Sequence, residues 1–221
     1  MTKDLTLELN GSPVRFPVRR ILIAGYTGRD ASQVHAHIAE LEKQGIPPPE
    51  RVPALFELSA SWATTDTRLE VPSAAISGEV EPALLFQSDR LEDALVSVIV
   101  DFTDREEERR SIARSKELPK PLSRHVWRYS DVSPCWDQIA MRSWSEPEPG
   151  RQLYQSGTLA RLLSPPDLLA SLNLTSKLEG TLLLMGTLAL LSEFAFTDYF
   201  SCELEAPDHR KLCYECTLVR R

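Results

Sequence analysis

Ser77-Gly-Glu79-Val-Glu81 sets two carboxylates two residues apart, a spacing that puts both on one face of a strand. Like charges that close repel, so such a site must protonate one of them or bind a cation. By spacing alone, a solvated pair on an exposed strand is the simpler reading. Asp101 shifts the balance, because it follows the apolar run Leu95-Val-Ser-Val-Ile-Val100 and puts a carboxylate where a buried strand is expected to meet solvent or a ligand. Three carboxylates with no His/Cys set beside them suit a hard cation: Mg²⁺, with Mn²⁺ or Ca²⁺ as alternatives. His37 and Glu40 lie three apart on a predicted helix, the separation at which a carboxylate orients a histidine base. The plain alternative is a surface pair. Lys116, taken alone, is an ordinary surface lysine.

The elements that must position these residues follow from patterning. Thr2 to Leu9 alternates, Val14 to Ala24 is β-rich, and Asn10-Gly11 between them predicts a hairpin. A helix is expected from Asp30, with Asp30 or Ser32 as cap, until Gly45 and Pro47-Pro-Pro49 stop it. Short apolar runs then recur (Ala54–Leu58, Leu69–Val71, Val80–Phe86, Leu95–Val100), a β-rich rhythm broken by Pro, Gly and Ser. The charge run Asp104–Arg114 reads as a solvated helix face, and Trp127–Trp144 as an aromatic connector covering core. A loop is expected at Pro147–Gly150, a short helix within Leu159–Leu172, and strands over Gly180–Leu191 and Tyr199–Val219.

A chain of 221 residues with 42% hydrophobic and 26% charged residues is ordinary globular material, and one domain over 1–221 is expected, with residues 1–20 as an added hairpin edge. Its net charge of −7, without a basic run, argues against nucleic acid or anionic membrane as partner. The N-terminus lacks the apolar core of a signal peptide, so a cytoplasmic location is expected. Thr181–Ala195 falls short of the ~20 residues that cross a bilayer. Cys213-Tyr-Glu-Cys216 has no second pair and, on a strand, would face opposite ways, which argues against zinc.

Taken in order, Gly25, Gly28, His37-Ile-Ala-Glu40, Pro47-Pro-Pro49, Glu79-Val-Glu81, Asp101-Phe-Thr-Asp-Arg105, Lys116 and Gly186-Thr187 resemble the fumarylacetoacetate hydrolase superfamily. Gly25-Tyr-Thr-Gly-Arg-Asp30, Thr103-Asp-Arg105, Ser115-Lys116 and Tyr154-Gln-Ser-Gly157 are similar to an uncharacterised branch of it, a domain family of unknown function. The resemblance implies an α+β fold, a β-rich twisted sandwich or roll with short rim helices, assembled as a homodimer. It implies Glu79, Glu81 and Asp101 as ligands of Mg²⁺, His37 and Glu40 as base and partner, and Lys116 as a catalytic oxyanion or substrate contact. Arg105, Gln155 and Thr187 are implied as substrate-binding. Two departures stand out: Gly186-Thr187-Leu-Ala-Leu190 lacks the second glycine of the superfamily's Gly-Thr-Pro-x-Gly, and Glu108 stands where a Gln is common.

The activity so implied is Mg²⁺-dependent C–C bond cleavage in a small oxo-acid or β-dicarbonyl compound, through an enolate that the metal stabilises. The same constellation serves a decarboxylase, hydratase or isomerase. A non-catalytic binding member of the fold is the remaining alternative, and the acid triad argues against it, since buried carboxylates without a cation are destabilising.

Overall fold

The structure, a computed structural model, describes residues 2–43, 45–145 and 150–220. Lys3–Leu9 (β1) and Ser12–Val18 (β2) pair antiparallel across Asn10-Gly11, both at positive φ, so the expected hairpin forms. Arg20–Gly25 (β3) leads to the helix Ala31–Lys43 (α1), capped by Asp30, which accepts from the backbone N–H of Ser32 at 2.9 Å. Ala54–Ser59 (β4), Ala63–Thr64 (β5) and Arg68–Val71 (β6) supply short strands. The centre is Ile76–Leu85 (β7) paired antiparallel along its whole length with Leu95–Asp104 (β8).

Beyond β8 the charge run resolves into two single turns, Arg105–Glu108 (α2) and Ile112–Ser115 (α3), capped by the side chains of Asp104 and Ser111. They lead into Lys120–Pro121 (β9), His125–Arg128 (β10) and Tyr129–Val132 (α4). Ala140–Ser145 (β11), Gln152–Thr158 (β12), Pro165–Leu172 (α5), Thr181–Leu184 (β13), Tyr199–Glu205 (β14) and Lys211–Arg220 (β15) complete the chain.

Eight strands form one mixed sheet in the order β2-β1-β10-β8-β7-β13-β3-β4, and five form a second, β12-β11-β14-β15-β6. One core lies between the sheets, with Val80, Leu84, Val98, Val100 and Phe102 packed against Met141, Phe200 and Leu204. The other fills the curl of the larger sheet, where Leu5, Leu7 and Phe16 meet Ile21, Leu85, Leu95 and Ile99. β7 and β8 are thus buried on both faces, which is why they read as apolar runs. The architecture is the α+β roll that the resemblance implies.

Several expectations change in detail. The strand expected over Gly180–Leu191 stops at Leu184, and the rest of that stretch is irregular apart from a bridge between Leu190 and Gln155. The aromatic connector contains the second half of β10 and most of β11, with Trp127 and Trp136 buried as core cover. Of the loop expected at Pro147–Gly150, all but Gly150 lies outside the described residues. On β15 Cys213 is exposed and Cys216 buried, so the CxxC pair does not converge. Among the described residues no helix is long and apolar enough to cross a membrane.

Candidate active site

Alternation along β7 and β8 builds the site. Ala83 and Leu85 on β7, with Leu95 and Ile99 on β8, face the core inside the curl; the same faces continue as Glu81 and Glu79, and as Asp101 and Thr103. Glu79 stands directly opposite Asp101. The apolar rows therefore end in carboxylates at one end of the curled sheet. Asp101 does not end its strand, contrary to the sequence expectation. β8 continues to Asp104, and Asp101 is fully buried because Phe102 carries the alternation onward into the inter-sheet core.

Two lysines meet Asp101. Lys116, just past α3 and buried, donates to Asp101 Oδ2 and, at 3.3 Å, to Thr103 Oγ1. Lys120 on β9 is fully buried, donates to the Phe102 carbonyl at 2.7 Å and sits 3.0 Å from Asp101 Oδ1. That last contact is ionic rather than directional, for Oδ1 is buried without an aligned hydrogen bond. Burial opposes ionisation of Asp101, yet the two ammonium groups outweigh it and hold the carboxyl at about 2. Burial likewise depresses Lys120 to about 8 despite Asp101, whereas Lys116, near Asp101, Glu79 and Glu81 together, is raised above the ordinary lysine value against its own burial. Glu81 accepts from the Gly186 N–H at 2.7 Å, but burial and then Asp101 push its carboxyl well above the usual range.

Arg105 organises the rim. Its Nη2 lies 3.2 Å from Glu79, its Nη1 3.0 Å from Glu108 and its Nε donates to Ser77 Oγ at 2.6 Å, while the guanidinium stacks over Phe194 at 4.1 Å. Glu108 therefore turns inward, and of the charges expected on a solvated helix face, Glu106, Arg109, Arg110 and Arg114 are the exposed ones.

Gln155 is buried and its amide is saturated. Oε1 accepts from the Val80 N–H and Ser143 Oγ, and Nε2 donates to Thr187 Oγ1 and the Leu188 carbonyl. It has nothing left to offer a ligand and instead braces Thr187, which donates to the Val80 carbonyl at 2.6 Å. The resemblance implied a substrate contact for Gln155; in this arrangement its amide is a brace for the strand and for Thr187. Gly186 adopts φ +92°, and a Cβ there would lie 1.9 Å from Thr27 Oγ1, so this turn, which aims an N–H at Glu81, admits only glycine.

His37 and Glu40 are exposed on α1, and among the described residues no hydrogen bond or ion pair joins them. The His37 ring centroid lies 6.4 Å from that of Tyr26. Tyr26, at φ +59°, is half-buried, and its hydroxyl is raised by burial and by Glu108 and Glu79, with Lys116 opposing. It stands between α1 and the ionic cluster. Sequence reasoning missed Tyr26, Lys120 and the inward turn of Glu108. Lys120 offered one weak signal, its place in Pro119-Lys120-Pro121, where two prolines hold the backbone extended.

Among the described residues no three His, Cys, Asp or Glu side chains stand in an arrangement that by itself holds a metal ion. Lys116 is the cationic neighbour that Asp101, Glu79 and Glu81 share. The donor chemistry nevertheless fits a hard divalent cation. All the donors are carboxylate oxygens, Asp101 Oδ1 makes no hydrogen bond and has only the ionic contact with Lys120, and Glu81 is held back from ionising by burial.

Comparison with solved structures defines the class. A protein from Oleispira antarctica, described provisionally as a fumarylacetoacetate isomerase/hydrolase, is 22% identical with a TM-score of 0.72, over 97% of this chain and 100% of that one. Fumarylpyruvate hydrolase from Pseudomonas aeruginosa, solved in complex with Mn²⁺ and pyruvate, is 18% identical with a TM-score of 0.67, over 99% of this chain and 97% of that one. A 5-carboxymethyl-2-hydroxymuconate delta-isomerase from Mycobacterium smegmatis is 17% identical with a TM-score of 0.60, over 92% of this chain and 80% of that one. The protein has the fumarylacetoacetate hydrolase fold. Residues 24–215 match the family described as "Protein of unknown function (DUF2848)", and the chain belongs to that family. No curated protein matches its sequence.

Proposed function

We propose that the protein is an enzyme that cleaves a C–C bond in a small oxo-acid or β-dicarbonyl compound, using a divalent metal ion, Mg²⁺ or Mn²⁺, held by Glu79, Glu81 and Asp101. The observation that carries this reading is the facing pair Glu79 and Asp101, with Glu81 buried beside them and one ammonium group within electrostatic reach of all three. The Pseudomonas fumarylpyruvate hydrolase of the same fold, with its Mn²⁺ and pyruvate, supports it by analogy. When bound, the cation supplies the positive charge that stabilises an enolate or oxyanion. Lys116 and Arg105 meet the anionic oxygens of the substrate, whereas the Thr187 hydroxyl, its proton given to the Val80 carbonyl, has none to offer the carboxylate end that the resemblance implied for it. His37, oriented by Glu40 once α1 closes over Tyr26, accepts the proton of the attacking water. We place the enzyme in the cytoplasm as a homodimer.

Metal and stability test the reading first. Mg²⁺ or Mn²⁺ at ~100 times its dissociation constant is expected to add about 2.7 kcal/mol of stability, and Glu81→Ala to abolish that gain. Equal melting curves with EDTA and with either metal sink the proposal. With a substrate found among oxo-acids, His37→Ala is expected to slow turnover roughly 10² to 10⁴-fold at unchanged metal affinity, and His35→Ala to do far less.

A further inference from the structure

Of the three cations in the site, Arg105 and Lys116 keep some side-chain exposure, at 11% and 10%, and Lys120 keeps none. Lys120 sits on β9, whose residues pair with Ala63 and Thr64 of β5, so its backbone is anchored on a second element. Its ammonium is held by the Phe102 carbonyl at 2.7 Å and Asp101 Oδ1 at 3.0 Å. Of these two contacts only Asp101 belongs to the site, so Lys120 acts on the site through Asp101.

We propose that Lys120 is a positioning residue that sets the charge of the metal centre, holding Asp101 from its buried side as a counter-ion. The inference rests on the reading of Glu79, Glu81 and Asp101 as cation ligands. The carboxylates of Glu79, Glu81, Asp101 and Glu108 face the cations Arg105, Lys116 and Lys120. With all of these ionised, a divalent ion makes the site net positive, ready for an anionic ligand. Without Lys120 the loaded site is neutral. Lys120 thus weakens the hold on the metal and strengthens the hold of the loaded site on an anion, two effects of opposite sign.

Calorimetric titration of Mn²⁺, and then of oxalate into the Mn²⁺-loaded protein, separates this role from a packing role. Lys120→Met is expected to bind Mn²⁺ about tenfold tighter and oxalate about tenfold more weakly, within the range over which partners of metal ligands tune affinity. A packing defect weakens both. Lys120→Gln, which retains a donor for the Phe102 carbonyl, is the second variant if Lys120→Met does not fold. Wild-type protein that binds Mn²⁺, beside a folded variant that binds it no tighter, overturns this proposal alone. Wild-type protein that takes up no Mn²⁺ overturns the metal reading and this proposal with it.

Discussion

Two ionic clusters sit on antiparallel strands of this protein, and their carboxyl groups alone do not tell them apart, since Asp101 and Glu205 are both held at about 2. At the rim of the smaller sheet Arg142 reaches Glu203 and Glu205 at 2.9 and 2.8 Å, Lys211 adds a contact to Glu203 at 3.1 Å, and His209 lies 3.3 Å from Glu205. Those side chains are partly or largely exposed, and hydrogen bonds from Arg142 and His209 lower Glu205 with little desolvation to overcome. Around Asp101 the partners are buried, and the charges survive only because each has an opposite neighbour. One carboxyl, Glu81, also has Lys116 near it, but burial and then Asp101 outweigh that ammonium and push it up. A depressed carboxyl on a wet strand is a structural ion pair; a buried cluster in which one acid is pushed up beside a depressed one is a functional-site candidate.

The largest difference is expected on breaking each cluster at its carboxylate. Asp101→Asn removes the one carboxylate that both buried ammonium groups contact, and urea unfolding at pH 7 is expected to show a loss of roughly 3–5 kcal/mol. Glu205→Gln is expected to lower the unfolding midpoint far less. Acid tests the same point in the wild type: the folded value of Asp101 lies below its ordinary 3.8, so its stabilisation is present above that pH and is lost as pH falls towards 2.

Gln155 joins the two regions, since its amide takes a β7 N–H on one side and the Ser143 hydroxyl, next to Arg142, on the other. Gln155→Leu strands several buried polar groups at once, each worth about 1–3 kcal/mol when unpaired. A net loss of roughly 2–4 kcal/mol in urea unfolding is expected, less than the sum because the segment beyond Met185 can relax. No loss would mean that Thr187 is positioned without it.

Glu81 sharpens the contrast with an effect of opposite sign. Its folded value lies above its ordinary 4.5, so the protonated form stabilises the fold below that pH and the contribution is lost as pH rises. Metal-free Glu81→Gln, which keeps the acceptor for Gly186, is therefore expected to melt higher than wild type at pH 8 and alike at pH 4. Each ~1 kcal/mol corresponds to about 2–4 °C at this length. A melting point that falls at pH 8 would show that the charged form is already neutralised without metal.

How far this site could be read in advance differs residue by residue. The shared face of Glu79 and Glu81 follows from a period of two, and the ordered motifs carried the fold. Asp101 was found but misplaced, because a charge after an apolar run looks like a strand end unless Phe102 is seen to continue the other face. The burial of Lys120 depends on β9 pairing with β5, a contact between distant segments that no local pattern encodes. The stretch beyond Leu184 is as apolar as a strand, yet it turns at Gly186 to aim an N–H at Glu81, a choice made by tertiary partners and not by propensity.

The smallest expected effect lies in the rim cluster, where salt makes the comparison decisive. Arg142→Met removes the guanidinium that Glu203 and Glu205 share, but Lys211 remains within 3.1 Å of Glu203 and 3.5 Å of Glu205, and water reaches both. A partly exposed pair of this kind is worth less than about 1 kcal/mol, and the methionine keeps most of the apolar stem. At 1 M NaCl the screening length falls to about 3 Å, so the small loss seen at low salt is expected to vanish. The loss from Asp101→Asn lies behind closed strands, out of reach of mobile ions, and is expected to persist at the same salt. If both losses fade together, the Asp101 cluster is open to solvent and the distinction between the two regions fails.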